Sequence, residues 1–234
     1  MNTCPNHLHG KQKIQYIWDY YKLPIVICLI FLYIISYTVH GYFTKKETLL
    51  YTGLVNVSAS SQLTDELSCG FLDSLNTNTS KTELKLYTGL YLTDNPDDSN
   101  HEYTYASRIK TVASIADERL DVVLMNKEAF DAFSQNGYLC NIEELLLKLD
   151  SETMAECKPY ITDNIVILED NADEIMPDDS QPYQAVTDEF PMGLLVSQKG
   201  LFKRAGFDGD VYLGVIKNSP RMDMAVEYIK YLIL

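Results

Sequence analysis

Positive charge is scarce in this 234-residue chain: 19 Lys and Arg face 33 Asp and Glu, a formal net charge of −14. Residues 1–43 carry +2, which leaves −16 on residues 44–234. A surface that acidic repels nucleic acid and anionic lipid, so nucleic acid is not an expected partner. Cysteine is also sparse. Cys4 and Cys28 lie near the N-terminus, and Cys69, Cys140 and Cys157 allow at most one disulfide among themselves. That is no disulfide framework, and the later part of the chain must be held by its core.

Histidine is nearly missing after residue 43, where only His101 remains. No Gly-x-Ser-x-Gly, Walker loop or His-Glu-x-x-His occurs. Cysteine–histidine chemistry would need His101 beside Cys69, Cys140 or Cys157. Acidic pairs such as Asp188-Glu189 are expected by chance among so many carboxylates. Cys4, His7 and His9 supply one thiol and two imidazoles, which do not close a metal shell. The expectation is a protein without catalytic residues, metal or cofactor.

Charge is absent altogether between Leu23 and Phe43. A helix rises about 1.5 Å per residue, so about 20 residues cross a bilayer core. Tyr16, Trp18, Tyr20 and Tyr21 flank the run on one side and Tyr37, Tyr42 and Phe43 on the other, as aromatic rings do at headgroup level. Pro24 is tolerated in a first helical turn. No small-residue cleavage site follows the run, which argues against a signal peptide. Lys11, Lys13 and Lys22 precede it, and Lys45 and Lys46 follow, a bias that places the N-terminus inside. The expected organisation is a cytoplasmic tail over 1–22, a membrane helix over 23–43 and an extracellular domain over 44–234.

Strands and helices alternate through that domain. Residues 48–57 read as a buried strand, and Leu63, Leu67, Phe71 and Leu75 as one stripe of a helix. Residues 83–93 read as a second strand that shares Leu-Tyr-Thr-Gly-Leu with the first, at 50–54 and 86–90. A helix is expected over 102–118, a strand over 120–125, and a helix capped by Asn126 and ended by Gly137. Another helix starts at Ile142. Residues 164–169 suit a short strand, and the acidic stretch 169–179 a solvated loop. A short helix over 199–204, a strand over 211–216 and a last helix capped by Ser219 complete the pattern. The order predicts an α/β domain with a mainly parallel sheet flanked by helices.

Two stretches carry a family resemblance. One is Leu120-Asp121-Val122-Val123-Leu124-Met125-Asn126 with Ala129-Phe130, Asn136-Gly137-Tyr138-Leu139 and Ile142-Glu143-Glu144-Leu145. The other is Tyr212-Leu213-Gly214-Val215-Ile216-Lys217-Asn218-Ser219 with Ala225 and Tyr228-Ile229-Lys230-Tyr231-Leu232. Both resemble bacterial extracellular solute-binding proteins of the type 2 periplasmic-binding-protein fold, over roughly residues 48–150 and 195–234. The resemblance implies two α/β lobes with a solute held between them. Residues 151–190 stand where a second lobe would be inserted and are too short for a full one, so a reduced second lobe is expected.

Ligands of open α/β sheets lie at the carboxyl ends of the strands, at a switch in strand order. The expected strand ends supply Asn56, Ser58, Thr93, Asp94 and Asn126 as candidate ligand-binding residues. Strand ends are loops and loops are polar, so Ser58 and Asn126 also fit as helix caps. Three functions are compatible with the chain: a non-catalytic surface module that recognises a small solute or an envelope protein, a solute receptor for an ABC transporter, and a structural subunit of an envelope complex.

Overall fold

A computed structural model of the chain describes residues 10–44, 46–93, 95, 101–172, 182–205, 207 and 209–233. The chain divides into two units, Met1–Lys46 and Glu47–Leu234. The described residues of the first form one helix, α1 (Lys11–Thr44), with Pro24 inside it. Its segment Tyr20–Gly41 is 22 residues of mean hydropathy 2.2, with no buried side chains. At about 1.5 Å per residue it is long and apolar enough to cross a bilayer. Thr38 donates its hydroxyl to the Ile34 carbonyl 2.6 Å away, so this polar group is satisfied within the helix.

The second unit is built on a six-stranded sheet. Its strands are β1 (Glu47–Val55), β2 (Thr82–Leu90), β3 (Val122–Met125), β4 (Ile161–Asp170), β5 (Ala185–Leu195) and β6 (Tyr212–Val215), in the spatial order β2-β1-β3-β6-β5-β4. β1 pairs in parallel with both β2 and β3. The ladders β3–β6, β6–β5 and β5–β4 are antiparallel. The sheet is therefore mixed, which corrects the expectation of a mainly parallel one. The reason is the connection. Helical crossovers join β1, β2 and β3, whereas β4 and β5 form a hairpin, and β6 enters between β3 and β5 in the opposite direction.

The second correction concerns residues 151–190. No reduced lobe stands there among the described residues; β4 and β5 extend the same sheet. β5 was hidden because Asp188, Glu189, Pro191 and Gly193 are poor strand formers. Part of the acidic stretch, residues 173–179, lies outside the described residues.

Helices cover both faces. α2 (Ser61–Asp65), a π turn (Glu66–Gly70) and α3 (Phe71–Ser74) follow β1; α4 (His101–Ala116) follows β2; α5 (Lys127–Gln135) follows β3. Then come α6 (Ile142–Leu146), α7 (Ser151–Cys157), α8 (Gly200–Ala205) and α9 (Met222–Ile233). β3 is buried on both faces and splits its side chains by the two-residue strand period. Val122 and Leu124 join Leu54, Leu67, Phe71, Leu213 and Ile229 on one side. Val123 and Met125 join Phe130, Phe133, Leu139 and Tyr212 on the other.

The expected stripe Leu63, Leu67, Phe71 is buried, while the π turn brings Leu72 in beside it and leaves Leu75 half-buried. Val226, Ile229 and Ile233 of α9, spaced three and four residues apart on one face, are buried. That helix starts at Met222 rather than after Ser219, whose hydroxyl is bonded to Asp121 Oδ1 at 2.6 Å. The two Leu-Tyr-Thr-Gly-Leu copies sit on neighbouring strands, offset by two residues, with Thr52 beside Leu86.

Asp121 is the anchor at the amino end of β3. It is fully buried. Its Oδ2 accepts from the Tyr51 backbone N–H at 2.7 Å and from Arg221 Nε at 2.8 Å. The Arg221 guanidinium lies 4.7 Å from the centre of the Tyr51 ring and also donates to the Glu118 carbonyl. One carboxylate so ties β1, β3 and the approach to α9.

A candidate ligand cleft at the carboxyl ends of two strands

The chain order places a switch beside β1. β2 lies on one side of β1 and β3 on the other, so the connections leave in opposite directions. The carboxyl ends of β1 and β3 then face an opening between diverging connections. A cavity of about 440 Å³ is found there. Asn56, Val57 and Ser58 line it from the end of β1, and Ser60 and Leu63 from the start of α2. Asn126 comes from the end of β3, and Ala205, Phe207, Gly209, Asp210 and Val211 from the segment between α8 and β6.

Asn56 has φ of 56°, a left-handed conformation that asparagine tolerates better than other side-chain-bearing residues. That conformation lets the side chain act as a strand extension. Its Oδ1 accepts from the Leu92 N–H at 2.9 Å, and its Nδ2 donates to the Leu92 carbonyl at 2.6 Å. Nδ2 also reaches Asn126 Oδ1 at 3.2 Å. Asn126 caps α5, accepting from the Ala129 N–H at 3.0 Å. Ser60 caps α2 in the same way through Leu63, at 3.2 Å. The two asparagines therefore pin the rim before any ligand arrives. Ser58 and Asp210 complete the polar residues that line the cavity.

Three of the five candidates, Asn56, Ser58 and Asn126, meet at this cavity. Thr93 does not line it; its hydroxyl donates to Glu128 Oε1 at 2.7 Å. Asp94 lies outside the described residues. The far wall, Ala205 to Val211, was missed from sequence. A strand parallel to β3 would begin at the opposite end of the sheet. Because β6 is antiparallel to β3, its leading residues arrive at the carboxyl end of β3. The available signal was the polar Asp-Gly-Asp at 208–210 just before a buried strand.

Asp210 accepts from the Ser197 hydroxyl at 3.3 Å. Burial, followed by the charges of Asp210 and Asp131, raises the Tyr212 hydroxyl above the usual tyrosine range. The Tyr212 ring stacks on Phe130, with centroids 4.7 Å apart and planes 7° apart. No Lys, Arg or His is among the described residues lining the cavity. Elsewhere, Cys69, Cys140 and Cys157 are free thiols, Cys69 exposed and Cys157 buried. Among the described residues no three His, Cys, Asp or Glu are grouped to hold a metal. Compared with family models, curated proteins and solved structures, the chain matches none.

Proposed function

We propose that this protein is a membrane-anchored extracellular binding module, akin to solute-binding proteins of the type 2 periplasmic kind, that holds a small polar solute without chemical conversion. The observation that carries this reading is the 440 Å³ cavity at the switch between β1 and β3. Its size falls within the range of small-molecule sites, and its rim is pre-formed by hydrogen bonds. With one sheet, capture occurs in an open cleft rather than by closure of two lobes.

Native mass spectrometry of the full chain, extracted in detergent from the cells that make it, tests the reading. A retained small molecule is expected, and Ser58→Trp, which fills the cavity, should remove it. A bare chain in both forms, or a ligand indifferent to Ser58→Trp, overturns the proposed site. The orientation rests on the lysine bias and is tested separately. Protease added to intact protoplasts should remove residues beyond 46 and spare the tail; protection of those residues overturns it.

A partner protein is the second reading, and the β4–β5 hairpin favours it. Ile165, Leu168, Tyr183 and Val186 are exposed on this arm, and β4 is an edge strand. Exposed aliphatic side chains on a sheet edge are a common docking feature. Crosslinking in intact cells through a photoreactive residue at Leu168 should then yield one discrete adduct.

A further inference from the structure

Resting on the solute-binding reading, we infer that the cleft selects an organic ammonium ion over neutral and anionic solutes of the same shape. Asp210 is the formal charge on the described wall of the cavity, and Phe207 is its aromatic ring. A carboxylate and a ring face are the two groups that attract an alkylammonium, the first by charge and hydrogen bonding, the second through its quadrupole. Asp210 is held by Ser197, at 3.3 Å, so the charge is presented from a positioned side chain. The −16 carried by residues 44–234 adds a long-range field that concentrates cations and repels anions.

Two competing ligand classes are weaker. An anion would meet the amino end of α5, which carries roughly half a positive charge. Against it stands a full negative charge at Asp210, and no lining cation is described that would reverse the balance. A bare metal ion needs several oxygen ligands in one shell. The described residues hold no such grouping, and the cavity wall includes Leu63 and Phe207, which favour carbon over a hydrated ion. An ammonium with a short apolar tail satisfies both parts of the wall. Asn126 and Ser58 line the same cavity and can bond a polar group at its other end.

The test uses three isosteric probes, butylammonium, 1-butanol and butyrate, titrated by calorimetry into the full chain in lipid nanodiscs at 0.15 M salt. Butylammonium should bind at least tenfold more tightly than 1-butanol, and butyrate more weakly than either. Asp210→Asn should erase the advantage of the cation while leaving the melting temperature within a degree or two, since Asp210 is exposed. Phe207→Leu should weaken butylammonium several-fold. Equal binding of the cation and the alcohol overturns the inference, as does an advantage that survives Asp210→Asn or the absence of butylammonium binding. The mass-spectrometric result decides the binding role independently: a retained neutral or anionic ligand lost in Ser58→Trp keeps that role and rejects the ammonium.

Discussion

At the residue scale, two features stand out that composition alone would not rank. Gly193 sits where a Cβ would lie 2.7 Å from the Leu213 carbonyl oxygen and 2.8 Å from the Phe130 ring. A backbone oxygen cannot swing aside, so Gly193→Ala should cost about 1–3 kcal/mol. Gly209 has nothing within 4 Å of that position, and Gly209→Ala should leave the unfolding midpoint nearly unchanged. Urea titrations of the two variants make the comparison. Asp121→Ala removes a buried acceptor of three hydrogen bonds and strands Arg221, and should cost about 3–5 kcal/mol. The cysteines differ in kind. Burial pushes the Cys140 thiol up to about 11. At pH 8 about one molecule in a thousand then carries that thiolate, the form that reacts with alkylating reagents. Brief iodoacetamide treatment of the folded chain should therefore spare Cys140, as peptide mapping will show.

The element scale separates what was legible from what was not. β1, β2, β3 and β6 were legible because β-branched and aliphatic runs flanked by turns leave few alternatives. The cap of α5 was legible because Asn126 stands three residues before Ala129, the first apolar position of its helix; of the serines at 58, 60 and 61 that could cap α2, the structure selects Ser60. Asn126→Ala should cost about 1 kcal/mol from the cap alone, and more because Asn56 loses a partner. The buried face of α9 was legible from its period, and Ile229→Asp should unfold the domain by placing an unpaired charge in the core. β5 was not legible. A strand beside β6 and β4 can be polar along most of its length because only Met192–Leu194, near its carboxyl end, are buried. The direction of β6 was also invisible, since a buried strand reads the same in both senses. With it went half of the cleft wall.

One cap has a pH signature. Asp150 precedes α7 and accepts from the Thr153 N–H at 2.9 Å and from its hydroxyl at 2.8 Å. Those bonds hold its carboxyl below the usual value of 3.8. A carboxylate with a depressed folded pKa stabilises the fold above its unfolded pKa, and that stabilisation fades as pH falls through the folded value. Asp150→Asn should therefore remove part of the stability difference between pH 6 and pH 3, measured by thermal melts at both.

At the scale of the whole molecule, the chain joins a helix with a 22-residue apolar segment to a strongly acidic α/β unit. Its net charge of −14 is concentrated on residues 44–234. Three candidate residues of the cleft were found from sequence by a rule about strand ends, and its far wall lies just before the strand that breaks the parallel pattern.

That strand also sets a timetable. Val122 to Met125 pair with residues 212–215, about ninety positions later in the chain. During synthesis about ninety further residues must follow β3 before the central seam of the sheet can close. Until then β3 presents an unpaired edge, and the β4–β5 hairpin has no strand to attach to. A chain stopped at residue 210 should consequently be captured by chaperones or degraded rather than accumulate as a smaller folded protein. Closure of this sheet is in effect a single event, triggered by the arrival of residues 212–215.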